Sequence, residues 1–148
     1  MLKLNIMCGT EIFNVRHGYI CINSEIPKPD DIKIEWGENF TKEDINKAIE
    51  NKQFLLLDVN KNKLPFEDNS IDEIVSNCGI GRGYGNEFAL NEIVRIIKPN
   101  KKVILNNSFL HIIPILCKYF QYVDIKCINY YYEKEDCSNS DFRFTCYN

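Results

Sequence analysis

The chain has 148 residues, 45% of them hydrophobic and 26% charged, with a formal net charge of −3. That length holds one domain, expected over 1–148, with a real core, and the composition excludes a disordered chain. Mild acidity also disfavours a nucleic-acid binder, which neutralises phosphates with a basic excess.

No apolar run approaches the roughly 20 residues of a membrane span. The opening MLKLNIMCGTEIF lacks the apolar core and cleavage site of a signal peptide. Seven cysteines stand at positions 8, 21, 78, 117, 127, 137 and 146. The number is odd, the spacings are wide and no C-x-x-C occurs, so free buried thiols in a reducing cytoplasm are expected. Only His17 and His111 could join them as ligands, and no metal site is expected.

In chain order, 2–6 (LKLNI) reads as a strand broken by Cys8-Gly9-Thr10, and 19–22 (YICI) as a second. Pro27 to Asp31, with two prolines, reads as loop. Thr41 is an N-cap for a helix near 41–51, with Glu43 and Asp44 in its first turn. The run 54–59 (FLLLDV) predicts a strand buried on both faces, and 71–76 (IDEIVS) the next, ending at Asn77-Cys78. A loop rich in glycine follows, with Gly79, Gly81, Gly83 and Gly85. Residues 86–97 then form an amphipathic helix stopped by Pro99. After a strand at 102–106, Ser108 caps a helix over 109–120 that Pro114 bends. Segments 122–132 and 142–147 read as an antiparallel hairpin.

This alternation predicts an α/β fold: a Rossmann-like, mixed but mostly parallel sheet with an antiparallel C-terminal hairpin and a first helix missing or reduced. Ligands of such sheets sit beyond the carboxyl ends of the strands. Met7 to Thr10, Asn23 to Glu25, Asp58 to Asn60 and Asn77 to Gly85 are expected there. Asp58 is an acid closing an apolar strand, where it needs a partner; capping a turn with Asn60 is the other reading.

Leu64-Pro65-Phe66-Glu67-Asp68-Asn69-Ser70-Ile71-Asp72, followed by Glu92-Ile93-Val94-Arg95-Ile96-Ile97-Lys98-Pro99, resembles the class I S-adenosylmethionine-dependent methyltransferase family. Its patterns are L-P-F-x-D-x-S-F-D and E-x-x-R-V-L-K-P. The opening Lys3 to Gly9 and the Gly18-Tyr19-Ile20-Cys21-Ile22-Asn23 segment resemble a short, type 11-like subgroup. The resemblance implies S-adenosylmethionine as cofactor. It places Cys8 and Gly9 at the methionine end, Asn23 or Glu25 on the ribose, Asp58 on the adenine with Val59 against the ring, and Asn77 and Cys78 beside the methyl. Two positions depart from the pattern: Met7 stands at a loop glycine, and Asn23 at an acid.

Arg82 and Tyr84 are candidates for contacting substrate, and His17 and Tyr84 for catalysis. The glycine loop either meets an anionic group through its N–H groups and Arg82 or is a lid or turn. It matches no P-loop. His111, Cys8, Cys78 and the run Tyr130-Tyr131-Tyr132 read as packing residues. Two functions stay open: methyl transfer to a small molecule (a sugar, natural-product intermediate or modified peptide), or a non-catalytic module of the same fold acting with a protein partner. A homodimer is also open; nucleic acid and membrane partners are not expected.

Overall fold

In the computed structural model, residues 1–77, 79–129 and 141–148 are described. Seven strands form one sheet in the order β3-β2-β1-β4-β5-β7-β6. They are β1 (Lys3–Ile6), β2 (Tyr19–Asn23), β3 (Phe54–Leu56), β4 (Ile71–Asn77), β5 (Ile97–Ser108), β6 (Tyr122–Asn129) and β7 (Asp141–Tyr147). The pairs β1–β2, β2–β3, β1–β4 and β4–β5 are parallel. β7 runs antiparallel to both β5 and β6, so the sheet is mixed as expected. The order reverses between β1 and β4, the switch point where an open α/β sheet leaves a crevice for ligand.

Alternation along the strands sorts the core onto two faces. Cys21 and Phe54 share one face with Asn5, and pack with Ile12, Ile32, Ile45 and Ala48. Those residues come from the 3₁₀ segment Glu11–His17, α1 (Pro29–Trp36) and α2 (Lys42–Glu50). Leu4, Ile6, Ile74, Val103 and Phe144 pack with α3 (Glu87–Ile96) and α4 (Ile113–Tyr119) in the other cluster. No helix among the described residues is long and apolar enough to cross a membrane.

Several expected boundaries change. The loop at 27–31 is the start of α1, because Pro29 occupies the first turn, where its missing N–H costs nothing. The strand expected over 54–59 ends at Leu56, which is 55% exposed on the edge strand and not buried on both faces. Segment 10–18 holds a 3₁₀ helix, so the first helix is reduced. Ser108 caps no helix: it ends β5, buried, and its hydroxyl donates to the Leu105 carbonyl at 3.0 Å. Pro114 opens α4 and does not bend it. Thr41 does cap α2, in a reciprocal capping box with Asp44. The expected hairpin residues 130–132 lie outside the described residues.

The paired sequence signature is a clasp. Glu92 of α3 accepts from the Leu64 amide at 2.8 Å. Arg95 donates to the carbonyls of Leu64 (3.1 Å) and Phe66 (2.8 Å) and to Asp68 at 2.7 Å, and grips Glu92 at 2.7 Å. The crossover loop into β4 is thereby fastened to α3, with Leu64 fully buried. Arg95→Ala strands the Glu92 carboxylate and two carbonyls, and should cost about 2–3 kcal/mol in urea unfolding. The Arg95 guanidinium also holds the Glu92 carboxyl below the usual carboxylate range. Its stabilisation is therefore complete above about pH 4.3 and lost as pH falls further. Melting temperature should drop less on acidification in Glu92→Gln than in the wild type; equal slopes would contradict the clasp.

Candidate active site

The loops after β1, β3 and β4 meet at the switch point. Met7 follows β1 in left-handed backbone, φ 56°, a conformation that costs a side-chain-bearing residue about 1–2 kcal/mol. The space for it comes from Gly79, where an added Cβ would stand 2.8 Å from the Met7 Cβ. Gly9 also has positive φ, 52°, and nothing lies within 4 Å of where its Cβ would be. The Cys8 amide donates to the Ile22 carbonyl at 3.2 Å, setting this loop beside the end of β2.

Glu11, which the sequence did not single out, is the most informative side chain here. It is 4% exposed, and Oε2 accepts from the Asn77 amide at 2.5 Å and the Asn5 amide at 3.2 Å. Burial pushes its carboxyl above the usual carboxylate range; the two amides pull it back and Glu35 pushes it further. The signal is an acid next to Ile12 and Val15 with no base three or four residues on, where Asn14 and Val15 stand. A raised folded pKa means stability that is greatest at low pH and lost as pH rises.

Beyond β3, Asp58 makes an Asx turn, accepting from the Asn60 amide at 3.0 Å and pairing with Lys61 at 3.2 Å. Those contacts hold its carboxyl below the usual range. Asn60 donates to the Tyr84 carbonyl at 2.9 Å and accepts from the Asn86 amide, tying the β3 loop to the glycine loop. That loop is packed rather than a loose lid: at Gly81 a Cβ would lie 1.7 Å from the Ser108 Oγ and 2.7 Å from its Cβ.

The structure brings Gly9, Asn23, Asp58, Asn77 and Tyr84 to strand ends or the loops just after them. Asn23 closes β2 and donates to the Glu25 carbonyl at 2.9 Å. The strand stops at Asn23, and Glu25 is exposed in the loop beyond it. Val59 is 3% exposed and packs in the core. Cys8 is buried against Cys21, and that thiol, with burial, holds Cys8 well above the usual thiol range and so protonated. Arg82 donates to the Asn107 carbonyl at 3.0 Å and lies over the Phe109 ring. His17 is exposed at the end of the 3₁₀ segment, and Tyr84 is 68% exposed. Cys78 lies outside the described residues. No cluster of metal-ligating side chains occurs among the described residues.

The chain aligns over 99% of its length with a SAM-dependent methyltransferase of Thermotoga maritima described as a possible histamine N-methyltransferase, at 14% identity, TM-score 0.64 and 81% of that chain. A SAM-dependent methyltransferase of Aquifex aeolicus gives 15% identity and TM-score 0.60, covering 99% of this chain and 81% of that one. A precorrin-6y C5,15-methyltransferase of Geobacter metallireducens gives 13%, 0.60, 99% and 79%. No curated protein matches the chain in sequence. The fold is that of the class I S-adenosylmethionine-dependent methyltransferases. Residues 8–128 match the ubiE/COQ5 methyltransferase family, and the chain belongs to it. S-adenosylmethionine is accordingly its cofactor. At Gly9 the loop after β1 leaves open space where a Cβ would stand, which is room that molecule would need to approach the backbone.

Two substitutions test this geometry. Gly81→Ala should destabilise by about 1–3 kcal/mol through overpacking on Ser108, read in thermal unfolding; wild-type stability would contradict the close approach. Glu11→Gln keeps the acceptor oxygen and removes the buried charge. Its melting temperature should exceed that of the wild type at pH 8, with the gap closing toward pH 4.

Proposed function

We propose that the chain transfers a methyl group from S-adenosylmethionine to a small molecule in the cytoplasm. The observation that carries this reading is the gathering of Gly9, Asn23, Asp58 and Asn77 at the ends of four adjacent parallel strands beside the switch point. The cofactor, when bound, supplies an electrophilic methyl on its sulfonium. The chain's own work is positioning, which alone lowers a displacement barrier by many kcal/mol. Gly9 and the Cys8 backbone line the methionine end. Asn23 offers its amide oxygen to the ribose, as a neutral acceptor in place of a carboxylate, with Glu25 next to it. Asp58, already ionised and fixed by Asn60 and Lys61, accepts from the adenine amino group. Asn77 flanks the methyl, held by Glu11 and Asn106. Tyr84 and Arg82 border the acceptor side, and His17 is the candidate proton acceptor.

The net charge of −3 opposes a nucleic-acid acceptor and leaves a small molecule as the better substrate class. Family membership favours the enzyme over the non-catalytic module. Calorimetric titration with S-adenosylmethionine tests the reading. Binding should occur, and Asp58→Ala should weaken it about tenfold, the worth of one good hydrogen bond. No binding at millimolar concentration would overturn the proposal, and unchanged affinity in Asp58→Ala would remove that residue from it.

A further inference from the structure

The face of the sheet that carries α1 and α2 continues over β4 and β5, where Val75 and Ile104 are only half-buried. A groove of about 280 Å³ lies there. Its floor is apolar, Val75 on β4 beside Ile104 on β5, which are register partners. One end holds Asn77, Asn106 and Arg143. Their side chains form a row in which every donor points the same way. Arg143 Nε donates to Asn106 Oδ1 at 2.6 Å, Asn106 Nδ2 to Asn77 Oδ1 at 2.6 Å, and Asn77 Nδ2 to the Glu11 carboxylate at 2.5 Å. A row running unbroken from a guanidinium to a buried carboxylate polarises each member in the same sense. It also fixes the Arg143 head through Nε. Its two terminal nitrogens have no partner among the described residues.

Across the sheet from Arg143, on β1, the groove is bordered by Asn5, 1% exposed. Its Nδ2 is used by Glu11, and its Oδ1 is buried with no hydrogen-bond partner. An orphan acceptor at that depth costs free energy that a donor would recover. A fixed guanidinium fork, an apolar floor and an orphan acceptor thus follow one another across the sheet.

We propose that this groove is the subsite for the methyl acceptor, and that the acceptor is a small carboxylic acid with an apolar body and a hydroxyl or amino donor at its far end. The carboxylate pairs with the terminal nitrogens of Arg143, since a planar fork matches two oxygens. The body lies on Val75 and Ile104, and the donor meets Asn5. Asn77 closes β4 and borders both this groove and the proposed methyl position, so the acceptor atom is a carboxylate oxygen. Its O–CH3 bond forms as the S–CH3 bond of the cofactor breaks, the two charges cancel, and a neutral ester and S-adenosylhomocysteine leave with no proton to move. The assignment of an acceptor role rests on the methyl-transfer reading; the anion site itself does not.

Amide-detected NMR of the full chain tests it, with the side-chain amides of Asn77 and Asn106 as reporters. The probes are para-hydroxyphenylacetate, phenylpropionate and hexanoate, each beside its neutral carboxamide. The acids should shift both reporters and the carboxamides should not. Arg143→Gln should lose tenfold or more in affinity, and Arg143→Lys should keep part of it; Arg143 is exposed, so neither threatens the fold. Equal shifts from acid and carboxamide, wild-type affinity in Arg143→Gln, or still reporters at about 10 mM acid would each overturn the subsite. S-adenosylhomocysteine is titrated into the same samples. Cofactor binding without acid binding overturns this subsite alone. Acid binding without cofactor binding supports the anion site and overturns the methyl-transfer reading.

Discussion

A carboxylate buried between two strand ends organises this molecule. Glu11 cannot leave water cheaply, and no cation among the described residues pairs with it directly. It is kept by two amides, Asn5 on β1 and Asn77 on β4. Those are the strands between which the sheet order reverses. The loop after β1, the 3₁₀ segment and the end of β4 are therefore held as one unit, and that unit frames the proposed cofactor crevice. Asn77 is fixed from the far side by Asn106, so its orientation is decided by a row of bonds and not by a free rotor.

Around this centre, the loops are fitted by what their residues lack. Gly79 yields the volume that Met7 occupies, and Gly81 yields that of Ser108. A side chain at position 7 thus becomes compatible with the fold because its neighbour across the crevice has none. The Glu92–Arg95 clasp works at the opposite end of β4. It fastens the crossover that leads into β4, the strand that Asn77 closes.

Much of this was legible in the sequence because it is local. Apolar runs marked the strands, Thr41 marked the start of α2, and the spacing of Leu64–Asp68 from Glu92 and Arg95 marked the family. The helix α1 was hidden by Pro27 and Pro29, since a proline that opens a helix looks like one that breaks a loop. β3 ended early because an apolar run does not reveal that its strand lies at the sheet edge. In the candidate site, strand-end residues such as Asp58 and Asn77 were readable from the α/β rule. Glu11, Asn106 and Arg143 were not: their partners lie up to 66 residues away in sequence and meet only through strand order. The sequence showed seven glycines but not which side chains press against them.

In the proposed function, the crevice between β1 and β4 holds the cofactor, and Gly9 and Asp58 set its orientation. A crystal structure with S-adenosylhomocysteine tests it most directly. The expected result is the amino-acid end over Gly9, the adenine amino group on the Asp58 carboxylate and the sulfur beside Asn77. A ligand bound elsewhere on the sheet, or reversed so that adenine lies over Gly9, would contradict it.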